Sequence, residues 1–366
     1  MSVGFQARGS LMAKFGELHL NLGFRRLARR AILSAAELVG ITMMRTRTRD
    51  KILDSAPWLW PYFLMAEKAR QPNAKSLETS DRYLRYDNPH LEDLRRRYSG
   101  HPATDHVQWG SSNVEANVEM EFFRADNLYV FQSRRYSPAV FYATAAYVKE
   151  IDRLNLLDTL HEDDLFGAEI FDFHGKTVSR DLLDSVIEIN FLDKHLNLGG
   201  DRITNVLDIG AGYGRLAHRL TSAIPNIGRY CCIDAVPEST FISNYYLKFR
   251  QMTERCEVIP LDKMSGLKSI PFDLAVNIHS FPECRATVIA WWLERLREMQ
   301  VPWLFIVTGS NLGLTSHEGH GVRKDFRPLI EASGFRLAVQ EQKFESARVL
   351  QNYGLYPAEY FLFQRV

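Results

Sequence analysis

Disulfide chemistry, a net charge and a long apolar run are all missing from this chain. Its 366 residues hold four cysteines, Cys231, Cys232, Cys256 and Cys284, and none forms a C-x-x-C pair. Adjacent Cys231 and Cys232 in an apolar run read as strand residues pointing to opposite faces, so buried reduced thiols are expected, as in a reducing cytoplasm. Lys and Arg total 45 against 44 Asp and Glu. That balance leaves no basic footprint for nucleic acid. No uncharged apolar stretch reaches the roughly 18 residues of a spanning helix, and Met1–Ser10 lacks the pattern of a signal peptide. Internal repeats and low-complexity tracts are absent as well.

What is present is an ordinary share of core-forming residues, 46% hydrophobic with 24% charged, enough for one large domain and a smaller one. Three textures follow one another. Residues 1–99 read as a helical N-terminal region. Within it Leu20–Met44 spaces Arg25, Arg26, Arg29 and Arg30 among leucines and alanines at helical period. Such a helix can pack on the rest of the protein or lie on an anionic membrane as a peripheral contact. Residues 100–200 read as a mainly helical substrate or lid region. Ser137 and Pro138 open one helix there, and Ser179 or Thr177 caps another that runs through Leu182, Leu183, Val186 and Ile187. The aromatic residues Trp109, Phe122, Phe123, Tyr129, Phe131 and Tyr136 are read as the core of this region before a sugar-stacking wall.

From residue 201 to 366 strand and helix alternate. Short apolar runs (NVLDI, RYCCID, CEVIPL, FDLAVNIH, PWLFIVT) are separated by helical segments. Gly334 follows a helix in the position of a C-terminal cap, and FRLAVQEQKF with AEYFLFQRV closes the chain as a strand pair. This order predicts a doubly wound α/β sheet, parallel except for an antiparallel C-terminal edge strand.

The first strand runs into Asp208-Ile209-Gly210-Ala211-Gly212-Tyr213-Gly214. Glycines there let a ligand approach the backbone, outside the carboxyl ends of the strands where open α/β sheets bind ligands. A dinucleotide fingerprint, G-x-G-x-x-G, requires glycine where Arg215 stands. The acids suit S-adenosylmethionine better. Asp208 can hold its ammonium group, Asp234 after the second strand can accept both ribose hydroxyls, and Asp262 after the third can meet the adenine amino group. With them Gly210, Ala211, Gly212 and Gly214 form the expected cofactor site.

At these residues the sequence resembles a class I S-adenosylmethionine-dependent methyltransferase, with a Rossmann-like sheet. More narrowly, FGAEIFDFHGKTVSRDLLDSVIEINFL, VLDIGAGYGRLAHRL, CCIDAVPESTF and LAVNIHSFPEC resemble the sugar O-methyltransferase family of antibiotic and surface-glycan gene sets. The resemblance runs from about Trp109 to the C-terminus. It implies methylation of a sugar hydroxyl on a glycosylated metabolite, glycolipid or glycan. A non-sugar small molecule as acceptor, and a non-catalytic cofactor-binding partner subunit, remain the rival readings. A homo-oligomer and a metal requirement are both left open.

A sugar hydroxyl calls for a general base. His279, after the fourth strand, is the candidate because imidazole titrates near neutrality, and Glu283 could orient it or touch substrate. Their structural alternatives are a backbone bond for His279 and a favourable helix-start position for Glu283. His317, Glu318 and His320 offer magnesium one carboxylate among two imidazoles, so a substrate loop is the preferred reading and no metal ligand is assigned. His174 beside Asp172 reads as structural.

Overall fold

The computed structural model describes residues 82–132 and 138–366. The Arg-rich segment at 20–44, the capping residue Ser137 and Tyr136 lie outside the described residues.

The N-terminal part of the described chain is a series of short helices: α1 (Pro89–Tyr98), α2 (Ser111–Asn117), α3 (Pro138–Ile151) and α4 (Leu156–Thr159). A hairpin follows, β1 (Ile170–Phe173) paired antiparallel with β2 (Lys176–Ser179), and His174 sits exposed at its tip. Ser179 ends β2 and caps α5 (Arg180–Leu196), its Oγ accepting the Leu182 N–H at 3.1 Å. Left-handed Asn197 then stops the helix.

From Asn205 the alternation read in the sequence is observed: β3 (Asn205–Ile209), α6 (Arg215–Ala223), β4 (Arg229–Ile233), α7 (Pro237–Phe249), β5 (Cys256–Ile259), β6 (Leu274–Ile278), α8 (Ala286–Glu298), β7 (Trp303–Gly309), α9 (Arg327–Ala332), β8 (Phe335–Gln342), α10 (Arg348–Tyr353) and β9 (Ala358–Arg365). Gly334 takes φ +86° just past α9, the left-handed conformation a helix-terminating glycine supplies. These seven strands form one sheet in the order β5-β4-β3-β6-β7-β9-β8. β3 to β7 are parallel, and β9 runs antiparallel to both β7 and β8. The antiparallel C-terminal strand is as the sequence predicts. It lies one place in from the margin, so that the β8–β9 hairpin as a whole forms that end of the sheet.

Successive side chains of a strand face opposite ways, yet β3, β4 and β7 are buried along almost their whole length. Both faces of the sheet are therefore covered, as a parallel sheet requires. Cys231 and Cys232 are among these residues and, with Cys256 and Cys284, are free buried thiols. Helix α5 is buried on nearly every side, and its Phe191 stacks on Phe305 of β7 and meets Tyr360 of β9 edge-on. One continuous cluster of buried apolar side chains runs from Leu84 through α5 to Phe363. Among the described residues no helix is long and apolar enough to cross a membrane.

Candidate functional site

The chain leaves β3 toward β4 and β5 on one side, then returns to place β6 and β7 on the other. The order reverses between β3 and β6, and a crevice at such a switch point is where this sheet type holds ligands. The turn after β3 and the loop after β6 meet there. Gly210, Gly212 and Gly214 all have positive φ (+74°, +57° and +86°). A Cβ on Gly210 would stand 2.2 Å from Ser280 Oγ, so glycine is needed for contact as well as for conformation. Buried Asn277 ties the two loops together. Its Nδ2 donates to the Ile209 carbonyl at 2.8 Å and its Oδ1 accepts from the Phe281 N–H at 2.8 Å. The Gly210 N–H donates to the Ile233 carbonyl at 2.8 Å, joining the same turn to the end of β4.

Around this junction lies a cleft of about 1100 Å³, part of it open to solvent. Asp208, Gly210, Ala211, Gly212, Asp234, His279 and Glu283 all line it. Gly214 lies one turn below, at the start of α6, against Leu247. The structure does not bring Asp262 there. That carboxylate is paired with Arg97 of α1 at 3.2 Å, outside the cleft lining.

Three carboxyls in the cleft share one electrostatic character. Burial lifts Asp208 to about 7, against the opposing pull of the Tyr230 hydroxyl that donates to it at 2.8 Å. Burial also lifts Asp234 to about 7, although the backbone N–H groups of Val236 and Gly212 donate to its two oxygens at 2.8 and 2.9 Å. Each of those oxygens keeps a lone pair for a ligand hydroxyl. Glu283 is lifted to about 7 by burial, with the Trp109 indole N–H bonded to Oε2 working the other way. Charge of this kind wants a cation that the protein itself does not supply in full.

His279 has the opposite setting. Burial, and then the neighbouring Arg180, lower its imidazolium pKa to about 3, so the ring is neutral at working pH. The reason given by the free imidazole value does not survive the fold. What the structure offers instead is a neutral ring whose Nδ1 is buried without a protein partner. The ring stands edge-on to Tyr356 at 4.9 Å between centroids. The residue itself takes φ +61°, a left-handed conformation uncommon for a side chain of this size. Glu283 does not orient His279, since its bond goes to Trp109. Different ring and chain partners surround them, Trp109 for Glu283 and Tyr356 for His279.

Residues far apart in sequence complete the walls. Arg180 opens α5, bonds Asp184 through Nε at 3.2 Å and the Phe131 carbonyl through one terminal nitrogen, and lies over the Tyr356 ring. Arg215, which stands where a dinucleotide fingerprint has glycine, makes a two-pronged pair with Glu188 at 2.8 and 3.0 Å and bonds Ser185, so it clamps α6 to α5. The aromatic set divides. Phe123 is core, whereas Trp109, Tyr129 and Phe131 line the cleft, with Tyr129 bonded to Ser239 at 2.9 Å. Trp109 and Tyr129 also pack on the apolar core, so for them core and lining are not exclusive. Neither His106 nor Tyr356, both in the lining, carries a local signal that sequence reading could have used.

The sequence matches no family model and no curated protein. Solved structures resemble the fold at low identity. The mitomycin 7-O-methyltransferase MmcR is 16% identical over 51% of this chain and 56% of that chain, with TM-score 0.35. The magnesium protoporphyrin IX methyltransferase ChlM from Synechocystis PCC 6803, solved with bound S-adenosylmethionine, is 14% identical over 62% and 95%, with TM-score 0.36. An S-adenosylmethionine-dependent methyltransferase from Clostridium acetobutylicum is 10% identical over 50% and 91%, also at 0.36. At such identities the chemistry of the cleft has to be read from its own residues.

Two side candidates contain structural bonds. Glu318 accepts from the Ala286 N–H at 2.9 Å and from Ser316 Oγ at 2.6 Å, so it holds the start of α8. Among the described residues no cluster of His, Cys, Asp and Glu could hold a metal ion. Asp172, beside His174, accepts from the Gly175 N–H in the β1–β2 turn at 3.1 Å, a structural bond.

Proposed function

We propose that this protein is an S-adenosylmethionine-dependent O-methyltransferase whose acceptor is a sugar hydroxyl. The observation that carries the reading is the pair Asp208 and Asp234, buried on either side of a glycine turn and both raised to about 7. A pyrophosphate laid on this turn would face two carboxylates and be repelled. A sulfonium nucleoside with an α-ammonium group answers both, because cation and hydroxyl donors reach acceptors already in place. Asp208 would take the ammonium, Asp234 the ribose hydroxyls, and the backbone at Gly210, Ala211 and Gly212 the close approach. Arg180, with one terminal nitrogen unbonded among the described residues, suits the carboxylate end.

Bound there, the sulfonium supplies a methyl group already activated for in-line displacement. The protein's part is to align the acceptor oxygen and take its proton. The neutral imidazole of His279, half-buried in the cleft wall, is the acceptor for that proton. Its charged form is disfavoured in the resting cleft by Arg180 and Lys343, but the transfer removes one positive charge from sulfur as it places one on the ring, so the total charge is unchanged. Phe131 and Tyr356 line the cleft beside Arg180 and His279. The sugar class itself is supported by the resemblance of the four segments around this cleft.

Calorimetry with S-adenosylmethionine and S-adenosylhomocysteine tests the donor, and absence of binding by both overturns the reading. Transfer of a labelled methyl group to a panel of sugar and non-sugar hydroxyls tests the acceptor. In His279→Ala turnover is expected to fall about 10²- to 10⁴-fold. A rate within a few-fold of the parent removes His279 from the role.

A further inference from the structure

A nucleoside whose ribose sits on Asp234 needs somewhere to put its base, and the side of the cleft toward β5 is closed. Helix α1 packs across that end of the sheet. Its Tyr98 is buried, bonds Thr240 Oγ1 at 2.9 Å and accepts the Leu261 N–H at 2.8 Å. Next to it Arg97 engages Asp262 from the outside. The lining beyond Asp234 is formed instead by Ala235, Val236, His106, Trp109, Glu283 and Cys284.

Within that group Glu283 is the one carboxylate. Oε2 receives the Trp109 indole N–H, and among the described residues none donates to Oε1. A carboxyl held through one oxygen, with the other left to the cleft, is a preorganised acceptor for a planar N–H donor. Its place follows from its neighbours: Cys284, next in the chain, pairs with His106 in an isolated bridge, and Ala235 and Val236 follow Asp234 directly in the same wall.

We propose that Glu283, and not Asp262, reads the purine base: Oε1 accepts a hydrogen from the exocyclic amino group of adenine, while Trp109 holds the carboxyl at the required angle. The proposal rests on the reading of the cleft as a sulfonium-nucleoside site. It reassigns Glu283 from the acceptor side of the reaction to the recognition of the donor.

The arrangement makes an unusual prediction for Glu283→Gln. The indole N–H can only donate, so the glutamine must turn its carbonyl oxygen to Trp109 and its amide NH₂ to the base. An acceptor for an amino group thereby becomes a donor suited to a 6-oxo group. The experiment is calorimetry of S-adenosylhomocysteine and its 6-oxo analogue S-inosylhomocysteine with the parent, Glu283→Gln and Asp262→Asn, with circular dichroism to check folding. The parent should prefer the adenosyl ligand by about tenfold or more, the loss expected when a charged acceptor has no donor. Glu283→Gln should reverse or abolish the preference, and Asp262→Asn should keep it. A preference unchanged in Glu283→Gln overturns the proposal, and so does a parent that binds both ligands equally, a result that needs no variant to fold. A parent that binds neither ligand overturns the nucleoside reading of the cleft, and this proposal falls with it.

Discussion

Replacing Asp208 by asparagine should make the ligand-free protein more stable at alkaline pH and a poorer binder of its donor. The carboxyl is buried and its pKa stands at about 7 in the fold, against 3.8 for the free side chain. A folded-state value above the unfolded one means that the group favours folding most below about pH 4. That advantage is lost as pH rises through about 7. Three units at 1.36 kcal/mol each amount to about 4 kcal/mol once the carboxyl is fully ionised. Asparagine has the same shape and can still accept from the Tyr230 hydroxyl, but it never ionises. Parent and variant should therefore match only below about pH 4, and the gap between them should widen by about 2–3 kcal/mol from pH 5 to pH 8, or about 3–4 °C in Tm for a chain of this length. Asp234 and Glu283 carry shifts of the same sign, so the variant keeps part of the parent's slope. Affinity for S-adenosylhomocysteine should fall about 10- to 100-fold, the worth of a hydrogen bond between charged groups. Thermal unfolding across pH 5–8 with and without ligand reads both effects. A variant whose pH slope equals the parent's, or which binds the ligand as tightly, would refute the reasoning.

Two further substitutions probe the scaffold of the cleft. In Gly210→Ala the new Cβ would lie 2.2 Å from Ser280 Oγ at a φ of +74°, so a loss of about 1–3 kcal/mol and of ligand-induced stabilisation is expected. Retention of both in a melt with S-adenosylhomocysteine contradicts the close approach. Lys343→Met removes a buried ammonium that bonds Asp184 at 2.6 Å and the carbonyls of Leu355 and Tyr356 at 2.8 and 3.2 Å. Urea unfolding should show a loss of about 3 kcal/mol, with acceptor KM raised through the loosened Tyr356, and a neutral result in both would dismiss the anchor.

How much of this was legible depended on whether a residue's role is local. The runs NVLDI and RYCCI are continuous and apolar because both faces of their strands are covered, and such runs can be read one at a time. The turn at Gly210–Gly214 is equally local, since three positive φ values fall within five residues. Asp262 shows the limit. A carboxylate after a strand serves a nucleotide or a surface ion pair equally well, and its partner, Arg97, stands 165 residues earlier. Arg180, Tyr356 and Trp109 reach the cleft from three separate segments, and only tertiary packing brings them together. The same holds for β9: two adjacent strand patterns announce a hairpin, but not that its second member will slide between the first and β7. Solvation, finally, is invisible in a string of letters. The free histidine value suggested a base titrating near neutrality, while burial and Arg180 take His279 down to about 3.

The position of β9 also sets a timetable. Strands β3 to β7 can pair in the order in which they are synthesised, but β8 has no bonded neighbour in the sheet except β9. The last seam between β7 and β8 therefore stays open until residues Ala358–Arg365 have been translated. Tyr356, two residues upstream, reaches the cleft wall only when that strand is threaded in. A chain truncated before Ala358 would keep the glycine turn and all three cleft carboxyls, yet expose the unpaired edge of β7 and lack a finished wall opposite His279. An unpaired apolar edge is a template for aggregation. Ribosomal stalling or proteolysis near residue 357 should thus yield insoluble fragments rather than a folded protein with a damaged cleft, a built-in check that ties competence for ligand to completion of the sheet.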